Sequence, residues 1–178
     1  MATYYSSITD EQAELIRSAP LFFVASADPR LANDGNVGPV NVSPKGGVPL
    51  HIIDRNRVAY LDYAGSGNET ARHCAAGGPI TVMIASFEAQ DAAIVRLFGT
   101  ARVTPLAQSP LADLMRGHPA AELKTQRQVI EVTIEKTMTS CGYGVPVMQP
   151  VRQRRAVDRG RRYKERATAR AAASSASR

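Results

Sequence analysis

The chain has 178 residues, of which 44% are hydrophobic, with two cysteines and no tryptophan. This length and composition suit one domain with an aliphatic core. Cys74 and Cys141 are too few for a disulfide framework and lack the spacing of a metal site. No apolar run reaches the ~18 residues that a membrane span needs. Because the opening MATYYSSITDEQ also lacks the basic and apolar regions of a secretory signal, we expect a cytoplasmic protein.

The net charge of +6 is distributed unevenly along the chain. Residues 152–178 hold ten Lys or Arg and two acidic residues, whereas residues 1–151 hold 12 basic and 14 acidic residues. We therefore predict a domain over residues 1–150 and a basic, partly helical or disordered tail over residues 151–178. Such a tail could neutralise nucleic-acid phosphates without reading sequence. Since Tyr163 is its one aromatic residue, nucleic acid is not an expected partner.

The predicted elements begin with a helix that starts at Thr9 or Asp10 and ends before Pro20. Seven strands rich in β-branched and aromatic residues follow, separated by turn sequences. In chain order they are LFFVASAD, VNVSP, PLHIID, RVAYLDY, ITVMIASF, AIVRLFGTARVT and QVIEVTIEKTMTS. Short helices are predicted in NETARHCAAGG and in SPLADLMRGH, the second with Ser109 at its cap. Strands at near-regular spacing without long alternating helices predict an antiparallel barrel or sandwich.

The stretch YLDYAGSGNET joins a predicted strand to a predicted helix through two glycines and several small polar residues. Asn68 suits an N-cap, Gly65 and Gly67 allow close approach, and unpaired N–H groups at a helix start attract anions. The stretch lacks the Gly-Lys-Ser/Thr of a P-loop and the third glycine of a dinucleotide fingerprint. Glu69 would also place a carboxylate beside a bound phosphate. Two interpretations stay open, a phosphate site or a capped helix after a tight turn.

Several motifs occur in an order typical of one family: VNVSPKG, VAYLDYAGSGNET, ITVMIASFE, IVRLFGTARV and CGYGVP. Residues 20–147 thus resemble the FMN-binding split-barrel family related to pyridoxamine 5'-phosphate oxidase. The resemblance implies a mostly β fold, a six- to seven-stranded antiparallel split β-barrel of Greek-key topology with short flanking helices. It also implies a homodimer that binds FMN between its subunits and acts as an oxidoreductase on a small molecule. The alternative is a non-catalytic protein that binds flavin, haem or a deazaflavin.

The same resemblance implies where the cofactor binds. VNVSPK resembles the strand that runs along the isoalloxazine ring, YLDY resembles the next strand, and GSGNET resembles the phosphate-binding corner. The implied cofactor-binding residues are Ser43, Lys45, Tyr60, Leu61, Asp62, Ser66, Asn68 and Thr70. No catalytic residue is assigned, because the flavin ring itself carries the redox chemistry in such proteins.

The chain departs from the oxidase at two places. The oxidase has adjacent basic residues after its Gly-Ser, where this chain has Gly67, Asn68 and Glu69. A phosphate would therefore depend on amides, hydroxyls and more distant cations: Lys45, Arg72 or Arg96. The oxidase's C-terminal substrate-binding motif has no counterpart here, so pyridoxamine phosphate is not the expected substrate.

The remaining ionisable side chains form no catalytic pattern. The histidines fall on a predicted strand, helix and loop without shared short spacing, so no metal site is predicted: His51, His73 and His118. His73 is interpreted as a helix surface residue, with a place beside the cofactor as the alternative. Cys74 is predicted to be buried and Cys141 to lie in an exposed loop. Arg96 and Arg102 are predicted to share one face of a strand.

Overall fold

Eight strands form one antiparallel sheet in the computed structural model, which describes residues 1–31, 38–65, 67–116 and 126–154. The strands are β1 Thr3–Tyr5, β2 Leu21–Ala27, β3 Val40–Gly46, β4 His51–Asp54, β5 Arg57–Tyr63, β6 Ile80–Ala85, β7 Ala93–Pro105 and β8 Gln126–Cys141. The helices are α1 Asp10–Ser18, α2 Glu69–Ala75 and α3 Ala112–Arg116, with a 3₁₀ turn at Leu106–Gln108.

The mostly β, antiparallel class predicted from the sequence is confirmed. All seven predicted strands are present, and β1 is an additional strand that pairs with the C-terminal half of β8. The sheet order is β3-β2-β6-β7-β8-β5-β4. Strands that are distant in sequence are therefore neighbours, as in Greek-key folds. The predicted boundary at residue 150 stays a prediction, since most of the tail lies outside the described residues.

The sheet curves around one apolar core, so that its two ends approach each other. Alternate residues of β2 point inward, as the burial of Phe22 and Val24 shows, and they pack against Tyr60 and Ile130 from the other end of the sheet. The strands alternate because successive side chains of a strand point to opposite faces. The terminal strands are β3 and β4, and β4 pairs with β5 only as far as Ala59. The later residues of β5 are not hydrogen-bonded to β3, and this leaves a seam in the wall.

Strand β5 is buried on both faces. Val58 and Tyr60 face the barrel core, whereas Ala59 and Leu61 belong to a second cluster outside the wall with Met115 of α3. This two-sided burial explains why the sequence RVAYLDY shows no clean alternation of apolar and polar residues.

Helix α1 packs on the barrel core, at the position predicted along the chain. The amide N–H of Gln12 donates to Thr9 Oγ1 at 3.3 Å, and the amide N–H of Thr9 donates to Gln12 Oε1 at 3.2 Å. This capping box satisfies two N–H groups at the start of the helix. Ala13 and Ile16 then reach the barrel core. Among the described residues, none of the helices is long and apolar enough to span a membrane.

Candidate functional site

A polar cleft of about 380 Å³ opens at the seam of the barrel. It lies between the free edge of β3, the end of β5 and the start of α2. Its lining residues are Asn41, Val42, Ser43, Pro44, Lys45, Asp62, Tyr63, Gly65, Gly67, Asn68, Glu69, Thr70 and Ala71. The alternation of β3 places Asn41, Ser43 and Lys45 on one side of the strand, whereas Val40 and Val42 are strongly exposed on the other.

An ion pair bridges the seam. Lys45 Nζ on β3 donates to Asp62 Oδ1 on β5 at 2.8 Å, and the two side chains are only 19% and 11% exposed. Lys45 Nζ also lies 5.7 Å from the centroid of the Tyr60 ring. Since no backbone ladder joins β3 to β5, this pair provides a direct polar link between the terminal strand β3 and the later residues of β5.

A chain of hydrogen bonds continues from this ion pair to the turn before α2. Gln128 Nε2 donates to Asp62 Oδ2 at 2.9 Å and to Asn68 Oδ1 at 2.8 Å. Arg127 Nη1 donates to Asn68 Oδ1 at 2.9 Å and to the Gly67 carbonyl at 3.1 Å. The cleft wall is therefore one connected polar network, which orders the turn relative to β5 and β8.

Asn68 occupies the N-cap position of α2, as predicted, but its side chain does not cap the helix. Its Oδ1 atom is directed toward Arg127 and Gln128 instead. The first N–H groups of the helix therefore lack the side-chain acceptor that a capping asparagine supplies. On the opposite wall, Asn41 Nδ2 donates to Thr70 Oγ1 at 3.0 Å, which ties β3 to the helix.

The Glu69 carboxylate at the corner opposes the binding of an anion. Its side chain folds back over Gly67, where a β-carbon on residue 67 would collide with the carboxylate. Because the carboxylate is the far end of a flexible side chain, a small residue at position 67 could be accommodated by a shift of Glu69. The formal charges of Lys45 and Arg127 offset those of Asp62 and Glu69, so a bound phosphate would depend on hydrogen-bond donors more than on net positive charge.

The structure brings together most of the predicted site residues. Ser43, Lys45, Asp62, Asn68 and Thr70 all line the cleft. Leu61 lines a smaller adjoining cavity of about 180 Å³, which Lys45 and Asp62 also border. Ser66 lies outside the described residues.

Tyr60 does not line the cleft but is fully buried behind it. Among the described residues its hydroxyl has no hydrogen-bond partner. Burial raises the pKa of this phenol well above its usual value, and the Asp62 carboxylate adds to the shift. The Tyr60 phenol is therefore neutral at physiological pH, and its ring makes a cation–π contact with the Lys45 ammonium group.

Three residues at the site were missed by sequence reasoning: Asn41, Arg127 and Gln128. Asn41 carried a usable signal, because it alternates with Ser43 and Lys45 along VNVSPK. No sequence signal pointed to Arg127 or Gln128, because both lie far along the chain from the other site residues, at the start of the last strand. Conversely, the suggested cations Arg72 and Arg96 do not line the cleft, and Arg96 Nη1 donates to Ser140 Oγ at 3.1 Å instead.

The interpretation of His73 as a surface residue is wrong. Its side chain is buried beneath α2, with Nδ1 3.0 Å from Ser26 Oγ of β2, because the short helix packs directly on that strand. His51 lies on β4, and His118 falls outside the described residues. Within the described ranges, no three His, Cys, Asp or Glu side chains are grouped to hold a metal ion.

Both cysteines are free. Cys74 is buried as predicted, and burial raises the pKa of its thiol to about 11. Cys141 is exposed as predicted, although it is the last residue of β8 rather than part of a loop. Arg102 lies on the outer face of β7 and pairs with Glu131 at 2.8 Å, away from the cleft.

The single antiparallel sheet, closed around one core with a polar cleft at its seam, defines this chain as a β-barrel protein. Residues 8–141 match the sequence profile of the pyridoxamine 5'-phosphate oxidase family. The chain belongs to this family.

A curated relative supports the assignment. The chain is 36% identical over 151 residues to the pyridoxamine 5'-phosphate oxidase family protein ustO of Aspergillus flavus. The alignment covers 83% of this chain but only 57% of that relative. The chain thus spans little more than half the length of the relative.

Solved structures share the fold. A putative pyridoxamine 5'-phosphate oxidase of Lactobacillus delbrueckii superposes with a TM-score of 0.50 at 20% identity, covering 75% of this chain and 94% of that one. HupZ of Group A Streptococcus superposes with a TM-score of 0.56 at 19% identity, covering 73% of this chain and 91% of that one.

We predict that the Lys45–Asp62 pair contributes more to stability than an exposed ion pair of similar length. A double-mutant cycle of Lys45→Met and Asp62→Asn should give a coupling free energy of about 1–3 kcal/mol, because the pair is largely shielded from water. Urea unfolding of the four proteins measures this coupling.

The control cycle uses Arg55 and Asp10, whose atoms are 2.7 Å apart but whose side chains are 59% and 86% exposed. Its coupling should stay below about 1 kcal/mol. Equal coupling in the two cycles would contradict the role assigned to the seam.

Proposed function

We propose that this protein binds FMN in the seam cleft and acts as an FMN-dependent oxidoreductase on a small molecule. The observation that carries the proposal is the joining, in one cleft, of a free strand edge and a glycine-containing turn rich in hydrogen-bond donors. The strand edge suits the polar rim of a flat ring, and the turn suits a phosphate. Family membership supports the same cofactor.

The residues present fit this group. Near the turn, Asn41, Thr70 and the backbone N–H groups offer neutral donors to a phosphate. At the other end of the cleft, Lys45 places a positive charge beside the free edge of β3, where it would stabilise electron density on the pyrimidine side of the ring. When bound, FMN would supply the redox chemistry, and the protein would bind and orient it.

The polar network gives Lys45 a fixed position. Asp62 accepts a hydrogen bond from the Lys45 ammonium group and a second one from Gln128. The ammonium group therefore cannot move freely across the cleft. A fixed charge is a better electrostatic partner than a mobile one, because it does not need to reorganise when electron density on its ligand changes.

A second copy of the chain would complete the cleft. Val40 and Val42 project from the outer side of edge strand β3 with 61% and 63% of their surface exposed. An edge strand with exposed apolar side chains is a natural surface for association. We propose a homodimer in which the partner covers Val40 and Val42 and, because Val42 also borders the cleft, closes the cofactor groove at that edge.

Titration of FMN with the purified wild-type protein should quench flavin fluorescence saturably, with one FMN bound per chain. The quenching is expected because the ring would be held against strand β3 and the side chains at the seam. Absence of quenching, together with a colourless protein as isolated, would contradict the proposed cofactor.

Glu69→Gln should strengthen FMN binding by about three- to ten-fold, because the variant removes a carboxylate from the phosphate's surroundings. Riboflavin, which lacks the phosphate, should bind both proteins equally. Isothermal titration calorimetry measures the four affinities. Glu88→Gln, a charge change at an exposed turn position, is the matched control and should leave both ligands unaffected. Unchanged affinity of Glu69→Gln for FMN would show that the phosphate lies elsewhere.

Val40→Asp should convert the dimer to a monomer and lower the flavin occupancy of the isolated protein, because a charge would be buried at the proposed interface. Light scattering coupled to size-exclusion chromatography measures the mass. Thr100→Asp, at an exposed position of β7, is the control and should remain dimeric. A monomeric wild-type protein that binds FMN fully would contradict the dimer.

A further inference from the structure

A β-bulge interrupts the pairing of β5 with β8 beside the cleft. Asp62 pairs with Gln128, but the next residue, Tyr63, pairs with Gln126. Arg127 is therefore the extra residue in β8. A bulge re-aims side chains and allows consecutive residues to depart from strict alternation. Here the consequence is direct, because the side chains of both Arg127 and Gln128 reach the same atom, Asn68 Oδ1.

The guanidinium of Arg127 is occupied by the turn before α2 rather than by an acid. It donates to the Gly67 carbonyl at 3.1 Å, to Asn68 Oδ1 at 2.9 Å and to the Gly65 carbonyl at 3.5 Å. In the described part of the chain it makes no ion pair. No carboxylate of the described residues thus neutralises the charge of Arg127. Its planar guanidinium group donates instead to the carbonyls of Gly65 and Gly67, which lie two residues apart.

Peptide geometry makes the direction of these contacts significant. In a trans peptide the carbonyl and the N–H of the same unit point in opposite directions. The Gly67 carbonyl is directed at Arg127, so the N–H of Asn68 points to the other side of the turn. Gly67 and Asn68 line the cleft and Arg127 does not. The carbonyl that would repel an anion is therefore held on the outside.

Arg127 and Gln128 also fix the orientation of the Asn68 side chain. An asparagine at an N-cap position ordinarily accepts from the N–H groups of the following turn. Two donors, Arg127 Nη1 and Gln128 Nε2, hold its Oδ1 atom instead, and no side-chain cap forms. The same oxygen cannot then compete with a ligand for these N–H groups.

We propose that Arg127, placed by the bulge in β8, is a positioning residue for the phosphate of the ligand. It holds the acceptors of Gly65, Gly67 and Asn68 away from the cleft, so that the backbone N–H groups that follow Gly67 face the phosphate. The proposal rests on the proposed binding of FMN. It assigns to a cation outside the cleft a role that neither Lys45 nor Glu69 performs.

The test compares FMN with riboflavin in three proteins: wild type, Arg127→Gln and Arg127→Lys. For Arg127→Gln, affinity for FMN should fall about ten-fold while affinity for riboflavin stays within about two-fold. Arg127→Lys retains the charge but not the planar fork, so it should recover only a small part of the loss. Arg102→Gln removes an arginine that also contacts β8, at Glu131, and should bind both flavins as the wild type does.

A second measurement does not need a flavin. Hydrogen–deuterium exchange of the free proteins should be faster at residues 67–71 in Arg127→Gln than in the wild type, and unchanged in Arg102→Gln.

The outcomes separate the two proposals. An equal loss of both flavins in Arg127→Gln, full recovery by Arg127→Lys, or unchanged exchange would overturn the positioning role while leaving FMN binding intact. A wild-type protein that binds neither flavin would overturn the proposed function, and the role of Arg127 toward a phosphate would fall with it.

Discussion

The cleft exists because β3 and the later residues of β5 lie side by side without main-chain hydrogen bonds between them. Hydrogen bonding between β3 and β5 would close the barrel and leave no polar opening. Instead, Lys45 and Asp62 join these strands through side chains alone, at 2.8 Å. Side chains can hold two strands farther apart than main-chain bonds can, and the gap that results is the cleft. The opening is thus a consequence of the way the sheet closes.

From this pair, polar contacts extend through Asp62 and Gln128 to Asn68. The network satisfies buried side chains, which would be costly to leave without partners. It also joins the two ends of the cleft into one rigid wall, so that a ligand would meet preformed contacts at its ring and at its phosphate. Preformed contacts favour binding because less order must be imposed when the ligand arrives.

Much of the fold could be predicted from the sequence, and part of the site could not. Alternation and turn residues identified every long strand, and the candidate N-cap at Thr9 or Asp10, with Pro20 beyond the end, identified the first helix. The burial of His73 was missed, because a seven-residue helix carries too few positions to show which face is covered. The contribution of Arg127 was missed for a different reason. A bulge depends on the register between two strands, and β5 and β8 are more than 60 residues apart along the chain. Neither the burial of His73 nor the bulge at Arg127 can be recognised from a local sequence pattern.

The burial of β5 on both faces has a consequence for how such a barrel can diversify. A side chain changed on this strand disturbs either the barrel core or the cluster under α3, so adaptation to new ligands is constrained there. The edge strand β3 and the exposed residues Gly65, Gly67 and Asn68 carry no such restriction, since each segment has one side in solvent. Substitutions that reshape the cleft should therefore cost less stability in these two segments than in β5, which packs against an apolar cluster on each side.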